Sequence, residues 1–148
     1  MGAGESCLAG SGSISVGRIA IVIPVFNDWE SLSFLLPPLD HHLGLNHPDT
    51  DVVVVDDGSD SPVVEELRCQ TFRHLRTVDL VRLRRNLGHQ RAIAAGLLCV
   101  YEAHADLKAI VVMDGDGEDR PEDVPKLISE LARHSGRCVV FAARTNNA

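Results

Sequence analysis

Aromatic residues are scarce in this chain, at 4% of its 148 residues, so a core must be assembled from Val, Leu, Ile and Ala. Positive charge is also short. Lys and Arg number 14 against 21 Asp and Glu, a formal net charge of -7. That sign argues against the basic surface that DNA or RNA binding needs, so no nucleic-acid partner is expected. An anionic small molecule is not excluded, because a cation or a local arginine cluster reverses the sign within one pocket. No apolar run approaches the ~18 residues that span a bilayer. The opening stretch MGAGESCLAGSGSISVGR lacks both the basic start and the apolar segment of a secretory signal. Its Gly and Ser content reads as a flexible leader over residues 1–17, ahead of one domain over 18–148, in a cytoplasmic setting.

The four cysteines, Cys7, Cys69, Cys99 and Cys138, are far apart and form no C-x-x-C pair or zinc-spaced Cys/His cluster. Three sit in apolar stretches, so buried free thiols in a reducing compartment are expected. The P-loop G-K-[ST] and the nucleophile elbow G-x-S-x-G are absent. AGSGSISVG precedes the first apolar run and lacks G-x-G-x-x-G spacing, so it is no dinucleotide loop.

What is present is the make-up of an ordinary globular domain, 45% hydrophobic and 24% charged. Short β-branched runs recur at IAIVIPV (19–25), DVVVVD (51–56), VDLVRL (78–83), AIVVMD (109–114) and CVVFAA (138–143). Near-continuous apolar runs of that length read as strands covered on both faces, as in a parallel sheet. Four longer segments with helical spacing separate them. The first, 28–43, should break or kink at Pro37 and Pro38. The second follows Ser61 as its cap and Pro62 as its first residue. The third starts just after Gly88, and the fourth has Asp119 as cap with Pro121 in its first turn. Alternation of this kind predicts an α/β, doubly wound, mainly parallel sheet. Ligands of such sheets bind beyond the carboxyl ends of the strands. The most polar clusters fall there: FND, DDGSD, RRNLGHQ, DGDGED and Arg144.

Asp114 and Asp116 flank Gly115 at the fourth strand end. Two carboxylates so spaced suit one hard divalent cation, although a solvated loop before a helix has the same composition. An EF-hand is excluded, because Asp119 and Pro125 stand where Gly and Glu are needed. A haloacid-dehalogenase phosphatase would want Thr or Val at Glu118, and a zinc site would want Cys or His nearby. Asp56 and Asp57 either accept hydrogen bonds from a ligand or cap a turn that Gly58 makes sharp. Arg84, Arg85, His89 and Arg91 supply local positive charge, and Gly88 opens a helix whose free N–H groups suit a diphosphate. Arg82 reads as part of a solvated basic face, and His89 as more structural than catalytic. Gly96, inside a helix, suggests close packing on the sheet.

Taken together, IVIPVFND (21–28), VVVVDDGSD (52–60), RNLGHQRAIAAGL (85–97) and VVMDGDGEDRPEDVPKLI (111–128), with VVFAAR ending at Arg144, resemble the family-2 inverting glycosyltransferases of GT-A fold. Within that family the likeness is to polyprenyl-phosphate sugar transferases related to dolichol-phosphate mannose synthase. The resemblance implies transfer of a sugar from a UDP- or GDP-linked donor to an acceptor, plausibly a polyprenyl phosphate, at the cytoplasmic face of a membrane. It implies Pro24, Phe26 and Asp28 lining the nucleotide pocket, and Asp56 and Asp57 at base and ribose. Asp114 and Asp116 would hold Mg2+ or Mn2+, with Arg85, Gly88, Glu118 and Arg144 toward the donor. Phe26 and Asp28 replace the commoner Tyr and Glu, and Glu118 falls where Gln is common. The family continues past RTNNA into an acceptor half that usually carries the catalytic base, so no base is assigned. Such a chain would be the donor-binding part, its open sheet covered by that half or by a membrane partner. Two other readings stay open: an inactive binding or assembly module, and a receiver-like phosphoacceptor domain. The latter would want its acids after strands one and three and a Lys after strand five.

Overall fold

The computed structural model describes residues 17–47, 49–134 and 138–143; the leader, Cys7 and Arg144 lie outside the described residues, apart from Gly17. Four strands alternate with helices: β1 (Ile19–Val25), α1 (Trp29–Leu43), β2 (Thr50–Asp56), α2 (Glu65–Arg68), β3 (Leu75–Arg82), α3 (His89–Ala103), β4 (Ala109–Val112) and α4 (Val124–Arg133). The sheet is parallel throughout, in the order β3-β2-β1-β4. β1 pairs with β2 from Ile19↔Thr50 to Val25↔Asp56, and with β4 from Ile19↔Ala109 to Val22↔Val112.

Every residue of β1 and β2 is buried, which is why β1 and the 52–55 centre of β2 are continuous apolar runs. Ile19, Ile21 and Ile23 meet Leu32, Leu36 and Leu39 of α1 and Ile128 of α4 on one face. Ala20, Val22, Val53 and Val55 meet Ala92 and Val100 of α3 on the other. Each large side chain so buried contributes about 1.5–3 kcal/mol. Gly96 of α3 packs as its position suggested. A Cβ there would stand 2.5 Å from Val22 Cγ1 and 2.7 Å from Val55 Cγ2.

Several expectations are corrected. α1 runs unbroken through Pro37 and Pro38. Pro37 has no N–H for the Ser33 carbonyl, but Gln70 Nε2 donates to that oxygen at 2.6 Å, replacing the missing bond. Pro38 frees the Phe34 carbonyl, and Phe34 is 71% exposed, so water can serve it. α2 is short and starts only at Glu65, because Val63 and Val64 pack against the core in an extended lead-in. Ser61 does not cap it; its N–H and Oγ both donate to Asn27 Oδ1. Nor does Asp119 cap α4, which follows a 3-10 turn at Pro121–Asp123. β3 begins three residues earlier than the apolar run, across a register irregularity at Thr50/Asp51.

β4 ends at Val112, and Cys138–Ala143 forms no strand, with Val139 and Phe141 at 75% and 85% exposure. Apolar character marks a segment that can pair; pairing itself needs a neighbour in register. Cys69, Cys99 and Cys138 are free thiols, as expected, but exposed rather than buried. Cys99 lies on the outer side of α3, and Cys138 in the unpaired segment. Among the described residues no helix is long and apolar enough to cross a membrane.

Candidate functional site

β2 and β3 extend from one side of β1 and β4 lies on the other, so the strand order reverses between β1 and β4. At that switch point, beyond the strand ends, a cleft of about 310 Å³ opens between Pro24, Val25, Phe26 and Asp28 on one wall and Asp114, Gly115 and Asp116 on the other, with His89 reaching in. Gly115 makes the approach possible. It is buried, and a Cβ would already touch Val25 Cγ2 at 3.1 Å and the Pro24 carbonyl oxygen at 3.2 Å.

The β1 wall is held by local bonds. Asp28 is the N-cap of α1, its Oδ1 accepting from Ser31 N at 3.2 Å. Asn27 before it adopts φ 54, and its Oδ1 accepts from Asp60 N, Ser61 N and Ser61 Oγ at 2.9–3.0 Å. The loop after β1 is thereby tied to the loop after β2. Phe26, 46% exposed, is left facing the cleft.

The β4 wall is a tight acidic loop. Asp119 Oδ2 accepts from Asp114 N at 2.8 Å, and Asp116 Oδ1 from Glu118 N at 2.9 Å, with Gly117 at φ 81 in the turn. Asp114 is half-buried and Asp116 and Glu118 exposed. The remaining carboxylates of the run face their own partners. The Glu122 carboxyl is held below the usual range by its own backbone N–H and then by Arg120. That of Asp123 is lowered by the Lys126 ammonium at 2.6 Å.

Asp56 and Asp57 are almost wholly buried and their oxygens are engaged. Asp56 accepts from Ser59 N at 2.8 Å and from Arg82 Nε at 2.7 Å. Arg82, assigned from sequence to a solvated face, therefore has a structural partner, although its side chain is 57% exposed. Asp57 accepts from Leu87 N at 2.7 Å and Gly88 N at 2.9 Å. Gly58 allows this approach: a Cβ there would stand 2.4 Å from the Arg85 carbonyl carbon. The Arg85 backbone is packed by that contact, while its side chain is exposed and outside the cleft's lining.

Pro24, Phe26, Asp28, Asp114 and Asp116 thus come together. Gly88 sits one residue from the cleft, and Glu118 two residues along the acidic loop. His89 is the residue that sequence reasoning undervalued. Its Nε2 lies 3.2 Å from Asp114 Oδ1. Its position immediately after a glycine that opens a helix is the signal that marks it.

Among the described residues no three His, Cys, Asp or Glu side chains are grouped so as to hold a metal ion. The donor set still fits a hard divalent cation. Mg2+ is typically held by one or two carboxylates, completed by waters and substrate phosphate oxygens, and Asp114 and Asp116 supply two on one loop.

The glycosyl transferase family 2 profile matches residues 20–148. The chain is 33% identical over 119 residues to the undecaprenyl-phosphate 4-deoxy-4-formamido-L-arabinose transferase of Yersinia enterocolitica, covering 80% of this chain and 35% of that one. It is 30% identical over 117 residues to the dodecaprenyl-phosphate galacturonate synthase of Rhizobium johnstonii, covering 78% and 33%. The chain thus spans about a third of the length of these curated relatives. Among solved structures, S. aureus TarS 1–349 superposes with a TM-score of 0.57 at 20% identity, covering 84% of this chain and 39% of that one. That likeness establishes the fold, a parallel α/β sheet of GT-A type. With the profile spanning nearly the whole chain, the chain belongs to glycosyl transferase family 2.

Proposed function

We propose that this chain is the donor-binding part of a glycosyltransferase that transfers a sugar, with inversion, from a UDP- or GDP-linked donor to a polyprenyl phosphate at the cytoplasmic face of a membrane. The observation that carries the reading is the cleft at the β1/β4 switch point, where Asp114 and Asp116 face Pro24, Phe26 and Asp28. Nucleotides bind doubly wound sheets at such points. The acceptor class rests on the names of the relatives, which carry undecaprenyl phosphate and dodecaprenyl phosphate.

In this reading Phe26 offers a flat apolar surface to the base, and Pro24 and Asp28 shape the adjoining wall. Asp56 and Asp57 hold the β2 side of the pocket, since their oxygens are committed to backbone and Arg82. The free N–H groups of α3 after Gly88, with Arg85, Glu118 and Arg144, contact the donor's diphosphate and sugar. Asp114 and Asp116 hold Mg2+ or Mn2+. The chemistry supplied there is Lewis-acid neutralisation of charge on the departing nucleoside diphosphate.

Calorimetric titration with UDP and with GDP, with and without Mn2+, tests the reading. Binding of one nucleotide that requires Mn2+ and is lost in Asp116→Ala is the expected result. Binding that Asp116→Ala leaves unchanged removes the cation assignment, and no binding by the folded chain removes the donor-site reading.

A further inference from the structure

We infer that His89 is a positioning residue for the Asp114 carboxylate, and that Asp57 acts through it. The inference rests on the reading of the cleft as a nucleotide and cation site. Asp57 is 3% exposed and places both oxygens on consecutive amides, Leu87 N and Gly88 N. Two bonds from one carboxylate fix both the position and the direction of the peptide unit just ahead of α3. Gly88 follows at φ +92, a conformation that L side chains rarely adopt. The chain then enters α3 with His89 as its first residue.

The helix so launched has little room to shift. Ala92 and Val100 are buried against β1 and β2, and the two valines under Gly96 leave no space for a methyl group. His89 is therefore held at a fixed origin, with Nε2 3.2 Å from Asp114 Oδ1. It is the one nitrogen-bearing side chain among the cleft's described lining residues, where Asp28, Asp114 and Asp116 are all acids.

The division of labour at Asp114 is physical. Its backbone is fixed by donation from N to Asp119 Oδ2 at 2.8 Å, which leaves rotation of the carboxylate to be set by what faces it. An imidazole donor beside a ligating carboxylate selects its rotamer and the oxygen it turns outward. Loss of such outer partners typically costs 10–100-fold in metal affinity. The path from a buried acid just after β2 to a cation ligand after β4 thus runs Asp57, the 87–88 amides, His89, Asp114.

The experiment is Mn2+ titration of the chain with UDP, and separately with GDP, followed by the electron paramagnetic resonance signal of free Mn2+. His89→Ala is expected to weaken Mn2+ uptake about tenfold or more, with an unchanged melting temperature because the side chain is half exposed. His89→Gln, whose Nε2 remains a donor, is expected to retain most of the affinity. Asp57→Asn, which turns a second donor toward the 87–88 amides, is expected to behave like His89→Ala. Mn2+ uptake by the wild-type chain that His89→Ala leaves unchanged overturns this inference alone, as does equal loss in the Ala and Gln variants. No uptake by the wild-type chain overturns the cation reading, and this inference with it.

Discussion

Gln70 Nε2 donates to the Ser33 carbonyl at 2.6 Å, the acceptor that Pro37 leaves without its helical partner. A side chain from beyond α2 thus completes the hydrogen bonding of α1. The Gln70→Ala variant strands a half-buried carbonyl and is expected to lose about 1–2 kcal/mol. The loss should shrink in a Pro37→Ala background, where residue 37 regains an N–H for Ser33. A double-mutant cycle by urea unfolding measures the coupling, and a coupling near zero would refute the compensation.

The same pair shows where the sequence is legible and where it is not. Local rules place a break at a Pro-Pro pair that α1 does not show; what overrides them is the bond from Gln70, 37 residues beyond Ser33 in the chain. β1 was readable to the residue, and β2 to within one, because burial on both faces forces an unbroken apolar run. The Cys138–Ala143 run has that same character and pairs with nothing among the described residues, since composition does not supply a neighbour. Within the site, Asp114 and Asp116 were legible because both sit on one loop. The contact of His89 with Asp114 joins positions 25 apart and depends on where α3 begins. That origin is set by Asp57, whose sequence context left ligand contact and turn capping equally open.

Gly96 offers a sharper test, because two principles predict opposite signs. Ala in a helix interior is favoured over Gly by about 1 kcal/mol. A methyl group there would stand 2.5 Å from Val22 Cγ1 and 2.7 Å from Val55 Cγ2. Both neighbours are fully buried and stiff at χ1, and overpacking costs about 1–3 kcal/mol. Gly96→Ala is therefore expected to be destabilising by about 1–2 kcal/mol in chemical denaturation. A stabilised variant would mean that α3 can move off the sheet.

Acid should lower the stability of the protein over two separate pH ranges. Burial disfavours the charged form of His47 and lowers its pKa. A group depressed in the folded state makes the unfolded chain take up protons first, so stability falls as pH drops below about 6.5, down to the lowered folded value. Burial raises the Asp40 pKa, but the N–H groups of Leu75, Arg73 and His74 together outweigh it, and the net shift is downward. The stability from Asp40 is present above about pH 3.9 and is lost as pH falls through its lower folded value. His47→Gln should remove the loss over the first range and leave the second. Asp40→Asn should flatten the second while costing about 2–3 kcal/mol at neutral pH. Denaturant midpoints measured from pH 8 to pH 3 separate the two.

Asn27 combines strain and bonding, and two substitutions pull these apart. At φ 54 it occupies the left-handed region, which costs roughly 1–2 kcal/mol for most L residues, with Asn among the exceptions. Its Oδ1 also gathers three donors from Asp60 and Ser61. Asn27→Ala loses both the tolerance and the bonds, and is expected to cost about 2 kcal/mol. Asn27→Gly restores the conformation but not the bonds, so it should recover roughly half of that loss. Thermal unfolding of the two variants gives the partition. Equal losses would mean that the tie between the loops after β1 and β2, rather than the backbone conformation, carries the effect; a fully stable Gly variant would mean the reverse.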